Sequence, residues 1–195
     1  METIKIRPDF ELSRVAKGNW QLADDHSGRR FSQDEVNDHM ALFADAGITT
    51  FVCGDIYAGV EERIGRFREY YRNTRGAEAA DRIKVLTTYV PYFLDEEGLR
   101  NHSKKDVVAV VDRSLRRLRQ ERLDLVQMHW WDYNIPGCLD MAIWLKELQQ
   151  EGKIHHLGAT NFDVPHMRQF FEAGIEVVAH TVQYSLLDSR PLNGM

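Results

Sequence analysis

Hydrophobic positions divide this chain into two alternating kinds of segment. Short apolar runs rich in β-branched residues predict strands, and longer stretches with apolar residues three and four positions apart predict helices. The predicted strands cover residues 14–16, 49–53, 84–89, 123–129, 156–159 and 177–182. The predicted helices cover residues 32–46, 60–75, 103–122, 139–151 and 164–173.

Polar residues mark the starts of several predicted helices. Ser32 with Glu35, and Ser103 with Asp106, fit the pattern in which a hydroxyl and an acid three residues later satisfy free backbone amides. Asp163 can open the last helix in a similar way.

The alternation of strands and helices predicts parallel βαβ units in one α/β domain covering residues 1–195. A doubly wound sheet usually carries a glycine-rich phosphate loop after its first strand. The segment Lys17-Gly18-Asn19-Trp20 matches neither G-x-G-x-x-G nor a P-loop. A barrel of about six βα units is therefore preferred, and its functional groups would lie at the carboxyl ends of the strands.

Composition narrows the expected partners. A formal net charge of −5 provides no clustered positive surface for nucleic acid or an anionic membrane, and no apolar run has the length of a membrane-spanning helix. The two cysteines, Cys53 and Cys138, and the absence of a secretory-type leader predict a cytoplasmic protein. Five arginines of the third predicted helix are expected to form a solvated surface: Arg113, Arg116, Arg117, Arg119 and Arg122.

Polar and aromatic residues follow each predicted strand, where a barrel places its site. They include Tyr57, His129 and the pair Thr160-Asn161. A tyrosine and a histidine in one pocket would suit polarisation of a carbonyl, because the phenol can donate a proton while the imidazole holds the oxygen. The adjacent histidines 155 and 156 lack the spacing and companion ligands of a metal site, so no metal is predicted.

Several of these segments, in order and in spacing, resemble the aldo-keto reductase family. The resemblance runs from about residue 12 to the end of the chain and implies a TIM-type (β/α)8 barrel, here truncated to about six βα units. It also implies a nicotinamide cofactor, usually NADP(H), and hydride transfer to a small aldehyde or ketone. The matching segments are Ala46-Gly47-Ile48-Thr49-Thr50-Phe51, Gly54-Asp55-Ile56-Tyr57, Asp124-Leu125-Val126-Gln127-Met128-His129-Trp130, Gly152-Lys153-Ile154, Gly158-Ala159-Thr160-Asn161-Phe162 and Tyr184-Ser185-Leu186-Leu187-Asp188.

The resemblance implies four catalytic positions, and this sequence matches two of them. Tyr57 falls on the position of the tyrosine acid, and His129 falls on that of the carbonyl-orienting histidine. The aspartate position holds Val52, and the lysine position holds Thr88. Asp55 matches a different polar position of the same motif. The two substitutions are mutually consistent, because a buried carboxylate without its ammonium partner would be costly.

The resemblance also implies residues for the cofactor and the substrate. Thr160 and Asn161 resemble the pair that binds the nicotinamide carboxamide, and Trp20 and Trp130 fall on positions that line the substrate pocket. The usual glutamine after the sixth strand is replaced by Thr181, although Gln183 follows on the same strand face. Strands seven and eight, which carry most of the phosphate contacts in the family, would follow residue 195.

Three functional hypotheses follow from the sequence. The first is an oxidoreductase of aldo-keto reductase descent with negligible NADPH-dependent reduction, which Val52→Asp with Thr88→Lys would not restore. The second is a non-enzymatic derivative that binds a small molecule or a protein, and the third is a fragment of a longer enzyme. We further expect Tyr57 and His129 to share one cavity near Trp130, and the open barrel edges to favour self-association.

Overall fold

The computed structural model describes residues 1–26, 28, 30–91 and 95–194. The chain opens with two antiparallel strands, β1 (Thr3–Arg7) and β2 (Phe10–Ser13), and then alternates between strands and helices. The alternating elements are β3 (Ala16–Gly18), α1 (Gln33–Asp45), β4 (Thr50–Gly54), α2 (Val60–Arg75), α3 (Ala77–Asp81), β5 (Lys84–Tyr89), α4 (Glu96–Arg100), α5 (Lys104–Leu118), β6 (Leu123–Met128), α6 (Cys138–Gln150), β7 (Ile154–Thr160), α7 (Val164–Glu172) and β8 (Val177–Thr181). Two short 3-10 helices lie at Trp20–Leu22 and Arg190–Asn193.

Strands β3 to β8 form one parallel sheet in which each strand pairs with its neighbours in the sequence. A doubly wound sheet reverses its strand order at a switch point, whereas this order runs without reversal. The prediction of a barrel-type α/β sheet is therefore confirmed, with six parallel strands among the described residues. Because the strands are parallel, their carboxyl ends meet at one rim.

Most predicted elements match the observed ones within two residues, and the largest difference lies at the end of the third predicted helix. That helix, α5, ends at Leu118 rather than at residue 122. Arg119 adopts the left-handed backbone conformation, with φ 55°, and its N–H bonds back to the carbonyls of Leu115 and Arg116. This geometry closes the last turn and stops the helix.

The antiparallel hairpin formed by β1 and β2 was absent from the sequence prediction. Apolar residues alternate with polar ones along both strands, but each strand offers only two apolar positions, which is a weak signal. The side chains of Phe10 and Leu12 pack with Leu86 and Leu125 in a buried cluster on the inner side of the sheet. The hairpin is therefore held by tertiary packing against β5 and β6.

The larger hydrophobic core lies between the sheet and the helices that cover it. Helix starts follow the predicted capping chemistry: Ser32 and Glu35 form a reciprocal capping box, as do Ser103 and Asp106. The Asp163 carboxylate accepts the His166 N–H at 2.9 Å. In the described ranges, none of the helices combines the length and apolarity needed to cross a bilayer.

Candidate active site at the carboxyl rim

Tyr57 lies in the turn after β4, at the carboxyl rim of the sheet. Its backbone N–H donates to the Gly54 carbonyl at 3.0 Å, and its ring packs over that glycine. A Cβ atom at Gly54 would stand 3.4 Å from the ring atoms Cε2 and Cζ of Tyr57 and 3.6 Å from the Thr88 carbonyl oxygen. These are ordinary van der Waals separations, and the ring lies against the ends of β4 and β5, where it is half-buried.

The surroundings of Tyr57 make its phenol a weaker acid. Burial is the main effect that raises the pKa of Tyr57, and the nearby Cys53 and Asp55 act in the same direction. Among the described residues, no cation opposes them. A tyrosine donates a proton best when its pKa is brought towards the working pH, so this site lacks the group that would activate Tyr57.

A neutral chain of hydrogen bonds occupies the inner face of the sheet at the level of Thr88. The Thr88 hydroxyl donates to Oε1 of Gln127 at 3.3 Å, and Nε2 of Gln127 donates to the Thr181 hydroxyl. Gln127 is only 1% exposed. The position that the resemblance assigns to a lysine thus holds a hydroxyl whose proton is engaged by an amide oxygen.

Val52 faces the same interior, one layer nearer the amino-terminal end of the sheet. It packs against the cluster of Phe10, Leu86 and Leu125 and stands opposite Leu86 in the strand register. Leu86 and Thr88 are two residues apart on β5 and therefore share a face. Val52 and Thr88 thus lie on neighbouring strands and face one interior, as a paired aspartate and lysine would need to do.

His129 follows β6 at the same rim, and β5 lies between it and the strand that leads to Tyr57. Nδ1 of His129 lies 3.2 Å from the Thr160 carbonyl oxygen. A carbonyl can only accept, so Nδ1 carries the proton in this contact. In the neutral ring Nε2 is then an acceptor, and only the imidazolium form can donate from Nε2 to a substrate oxygen. That Tyr57 and His129 share one cavity stays a prediction.

Thr160 and Asn161 lie together at the end of β7. The Thr160 hydroxyl oxygen is buried and has no hydrogen-bond partner among the described residues. Asn161 has a left-handed backbone with φ 56°, and its Oδ1 accepts the Gln183 N–H at 3.1 Å. Among the described residues no group accepts from Asn161 Nδ2. An unpartnered hydroxyl beside an amide N–H₂ can bind a ligand that offers both a donor and an acceptor.

These two residues fit the nicotinamide carboxamide that the resemblance assigns to them. A carboxamide has one carbonyl acceptor and two N–H donors, which complement Asn161 Nδ2 and the orphaned Thr160 hydroxyl. The third position is different, because the Thr181 hydroxyl accepts from Gln127. Gln183 lies beyond the end of β8, and its backbone rather than its side chain contacts Asn161.

The two tryptophans assigned to a substrate pocket lie in different environments. Trp20 is 50% exposed, and its ring centroid lies 3.7 Å from that of His26. Trp130 is 2% exposed, and its indole N–H donates to the carbonyls of Asp132 and Ile135 at 2.9 and 3.2 Å. The accessible surface of Trp20 can meet a ligand, whereas Trp130 packs within the loop after β6.

The helix-facing side of the sheet holds buried charges. The Asp55 carboxylate accepts the Val90 N–H at 3.0 Å and lies 3.3 Å from a guanidinium nitrogen of Arg113. Glu61, fully buried, accepts the Thr87 hydroxyl at 2.8 Å and lies 3.4 Å from Arg117. Burial raises the pKa of Asp55 to about 7. Because its carboxylate contacts Arg113 of α5, Asp55 faces that helix and cannot replace the missing interior carboxylate.

Two of the arginines predicted to be a solvated surface do not fit that description. Arg113 and Arg117 reach back to the buried carboxylates, with side chains 37% and 29% exposed. The prediction was wrong for this pair because helical periodicity does not show that a long arginine stem can bend towards a buried acid. Arg119 instead pairs with the exposed Glu69.

Sequence reasoning missed two residues near the rim. Gln127 was read only as part of a strand, although a polar residue inside an apolar strand is itself a signal of a buried polar contact. Tyr133, in the loop after β6, donates to the Asn161 carbonyl at 3.3 Å and stacks on His166 with ring centroids 3.8 Å apart. No local pattern distinguishes Tyr133 from other loop aromatics.

Comparison with known proteins agrees with this geometry. The chain is 28% identical over 186 residues to the aldo-keto reductase YhdN of Bacillus subtilis, covering 92% of this chain and 52% of that protein. It is 33% identical over 97 residues to the NADH-specific methylglyoxal reductase of Escherichia coli, covering 48% of this chain and 29% of that enzyme. The chain thus spans about half the length, or less, of these relatives.

A solved structure and a family profile complete the comparison. The glycerol dehydrogenase of Gluconobacter oxydans superposes with a TM-score of 0.76 at 29% identity, covering 99% of this chain and 58% of that enzyme. The profile described as "Aldo/keto reductase family" matches residues 14–195, which contain all six strands of the parallel sheet. The chain therefore belongs to the aldo/keto reductase family.

Proposed function

We propose that this chain carries the nicotinamide-binding and carbonyl-binding part of an NAD(P)H-dependent reductase site in which proton donation is weak. The observation that carries the proposal is the buried, unpartnered Thr160 hydroxyl beside Asn161 at the carboxyl rim. Methylglyoxal, the substrate in the name of one relative, represents the class of small carbonyl compound that we propose.

Each rim residue has a role in this proposal. A bound NADP(H) would supply the hydride. Thr160 and Asn161 would hold the carboxamide and so orient the nicotinamide ring. Tyr57 would donate its phenolic proton to the carbonyl oxygen, which His129 would hold in its protonated form. The exposed face of Trp20 would cover the apolar part of the substrate.

Proton donation is the weak step. The raised pKa of Tyr57 reflects burial without a neighbouring ammonium, because the inner face offers Thr88, Gln127 and Thr181 in its place. General acid catalysis is typically worth about 100- to 10,000-fold in rate. In the 195-residue chain we expect negligible carbonyl-dependent oxidation of NADPH, and we expect Val52→Asp with Thr88→Lys not to restore it, because hydride transfer also needs a firmly held cofactor.

Binding of NADPH, followed by nicotinamide fluorescence, tests the proposal. Thr160→Val removes the orphaned hydroxyl and should weaken binding about 10-fold, the effect of roughly one hydrogen bond. Thr74→Val is the matched control, since the Thr74 hydroxyl donates to the carbonyls of Tyr70 and Tyr71 within α2, away from the rim. Equal affinity of the Thr160→Val variant and the unmodified chain, or no binding by either, would contradict the proposed cofactor site.

A second function, ligand binding without turnover, is favoured by the neutral chain Thr88–Gln127–Thr181. This chain satisfies its own polar groups without activating Tyr57. Negligible turnover is expected for both functions, so they differ in binding of the cofactor. NADPH binding that Thr160→Val weakens supports the reductase site, whereas binding of methylglyoxal without binding of NADPH supports the binding protein.

We also propose a single domain over residues 1–195, a cytoplasmic setting and self-association. The buried free thiols of Cys53 and Cys138 are compatible with a reducing compartment. Within the described residues, β3 and β8 each pair on one side only. Such edges favour strand pairing with another copy. A monodisperse monomer in light scattering would contradict the self-association.

A further inference from the structure

The amino-terminal end of the sheet, opposite the rim, brings together three side chains with metal-ligand chemistry. Asp9 lies in the turn between β1 and β2, and His155 and His156 lie near the start of β7. Their ligand atoms all fall within 4.8 Å of one another. The sequence analysis predicted no metal because it found no companion for the histidines, and the hairpin that carries this companion was itself not predicted.

The geometry of the three groups is convergent. Nε2 of His155 lies 2.8 Å from Oδ2 of Asp9, and Nε2 of His156 lies 3.6 Å from Oδ1 of the same carboxylate. Ligands of a tetrahedral zinc ion at about 2.0–2.1 Å from the metal stand roughly 3.4 Å apart. The two separations from Asp9 bracket that value, and all three ligand atoms lie within 4.8 Å of one another, so small side-chain shifts would bring them to one ion.

The strongest sign of a ligand is the imidazole of His156. Its side chain is 10% exposed, and its Nε2 atom is buried with no hydrogen-bond partner among the described residues. A buried nitrogen without a partner is unfavourable unless something binds it. This nitrogen faces the Asp9 carboxylate but stands too far away for a hydrogen bond.

The surrounding residues hold the two imidazoles in place. The rings of His155 and His156 stack with centroids 4.0 Å apart, and Phe10 contacts both, at 5.8 and 4.7 Å between centroids. The nearby cation, Arg7, is paired with Glu176 at 2.5 Å. The charge of Arg7 is therefore compensated. The Asp9 side chain is 62% exposed, so solvent reaches the site and water can serve as a fourth ligand.

We propose that Asp9, His155 and His156 form a site for a divalent transition metal of the zinc type. Two imidazoles and one carboxylate form a donor set that suits Zn²⁺. An ion bound there would link the β1–β2 hairpin to β7 and stabilise the amino-terminal end of the sheet. The site lies about 16 Å along β7 from Thr160, at about 3.3 Å per residue, and is separate from the rim.

The competing interpretation is a metal-free ion pair between Asp9 and His155. The chain contains such a pair at Asp163 and His166, where Nδ1 lies 2.5 Å from Oδ1 and the described residues supply no third ligand. This second pair provides a matched control, because it has the same two residue types without the additional buried histidine.

Isothermal titration of the chelator-treated full chain with ZnCl₂ tests the proposal. We expect one Zn²⁺ per chain, weakened at least 10-fold by Asp9→Asn and by His155→Gln, and unchanged by His166→Gln. Asp9 is mostly exposed, so Asp9→Asn should leave the fold intact, which circular dichroism checks. Zn²⁺ should also raise the melting temperature of the unmodified chain but not of the Asp9→Asn variant.

Two outcomes would overturn the proposal. One is the absence of stoichiometric Zn²⁺ binding to the unmodified chain. The other is equal loss of binding in the His166→Gln control, which would indicate non-specific coordination by surface histidines. Titration with Co²⁺ gives an independent readout, since tetrahedral coordination by nitrogen and oxygen should produce visible absorption that Asp9→Asn abolishes.

Discussion

Adjacent threonines on β5 show how differently the two faces of this sheet are built. The Thr87 hydroxyl points towards the helices and donates to the fully buried carboxylate of Glu61 at 2.8 Å. The Thr88 hydroxyl points to the interior and donates to the neutral amide of Gln127 at 3.3 Å. The helix-facing side thus retains buried charges, whereas the interior carries none at the two substituted catalytic positions.

This difference separates structural charges from catalytic ones. The buried acids of the helix-facing side have guanidinium partners, so removing a partner leaves a charge that the fold cannot solvate. On the interior face, Val52 and Thr88 stand where the resemblance assigns an aspartate and a lysine, and they satisfy the packing without charge. The fold can therefore persist without a charged group that would lower the pKa of Tyr57.

The largest expected effect is on the helix-facing side. Arg117→Met removes the cation beside buried Glu61 and should lower the free energy of unfolding by about 3–5 kcal/mol, because an unpaired charge remains inside. Urea unfolding measures the loss. Arg72→Met is the control, since Arg72 pairs with exposed Asp81 and should contribute less than about 1 kcal/mol. Similar losses for both variants would mean that burial of Glu61 does not make its ion pair contribute more than the exposed pair of Arg72 with Asp81.

The pH dependence of stability provides the second test of the helix-facing side. Burial raises the pKa of Asp55 to about 7 from an ordinary value of 3.8, so the folded state binds the proton more tightly than the unfolded state. Its stabilising contribution is full below pH 4 and is lost as the pH rises through 7. The difference corresponds to up to about 4 kcal/mol of unfolding free energy.

Asp55→Asn retains an acceptor for Val90 N–H and removes the titration. Relative to this variant, the unmodified chain should lose stability between pH 5 and pH 8, as measured by urea unfolding. Parallel stability curves for the two chains would show that Asp55 is ionised across the whole range in the folded protein.

Restoring charge to the interior should have the next largest effect. Val52→Asp places a carboxylate among Phe10, Leu86 and Leu125 and should lower the unfolding free energy by about 3 kcal/mol. Adding Thr88→Lys should recover at least about 1 kcal/mol through pairing. Val52→Asn with Thr88→Lys is the neutral control and should show no such coupling. Additive losses in both double variants would mean that the two positions do not face each other.

The smallest effect is expected from the neutral chain itself. Thr88→Val removes one hydrogen bond to Gln127 and should cost about 1 kcal/mol of unfolding free energy. Thr87→Val on the opposite face should cost more, because it removes a donor from buried Glu61. Urea unfolding of both variants compares the two faces at adjacent positions. A larger loss for Thr88→Val would contradict the claim that the buried charge lies on the helix-facing side.

Local patterns in the sequence predicted the repeating part of the fold. The β5 and α2 boundaries were predicted to the residue, because β-branched runs and helical periodicity are local properties. The β1–β2 hairpin was missed although apolar and polar residues alternate along both strands, because two apolar positions in each strand are a weak signal. The packing of the hairpin against β5 and β6 is a long-range contact that the linear pattern does not contain.

The candidate site was predictable only where resemblance assigned positions. Val52 and Thr88 were recognised as substitutions, and the structure places both on the interior face. The sequence did not show that Gln127 engages Thr88, nor that Arg113 and Arg117 turn inwards to buried acids. Such contacts depend on side-chain direction across neighbouring strands and helices, which the linear pattern does not contain.

The ionisation of Tyr57 tests the central claim, that the interior no longer activates this residue, most directly. The titration of Tyr57 can be followed through the ¹³Cζ resonance of labelled tyrosine, assigned with the Tyr57→Phe variant, while circular dichroism confirms the fold. We expect the pKa of Tyr57 to lie above its ordinary value of 10 in the unmodified chain and to fall in Val52→Asp with Thr88→Lys. A pKa below 10 in the unmodified chain would contradict the account, because some other group would then be activating Tyr57.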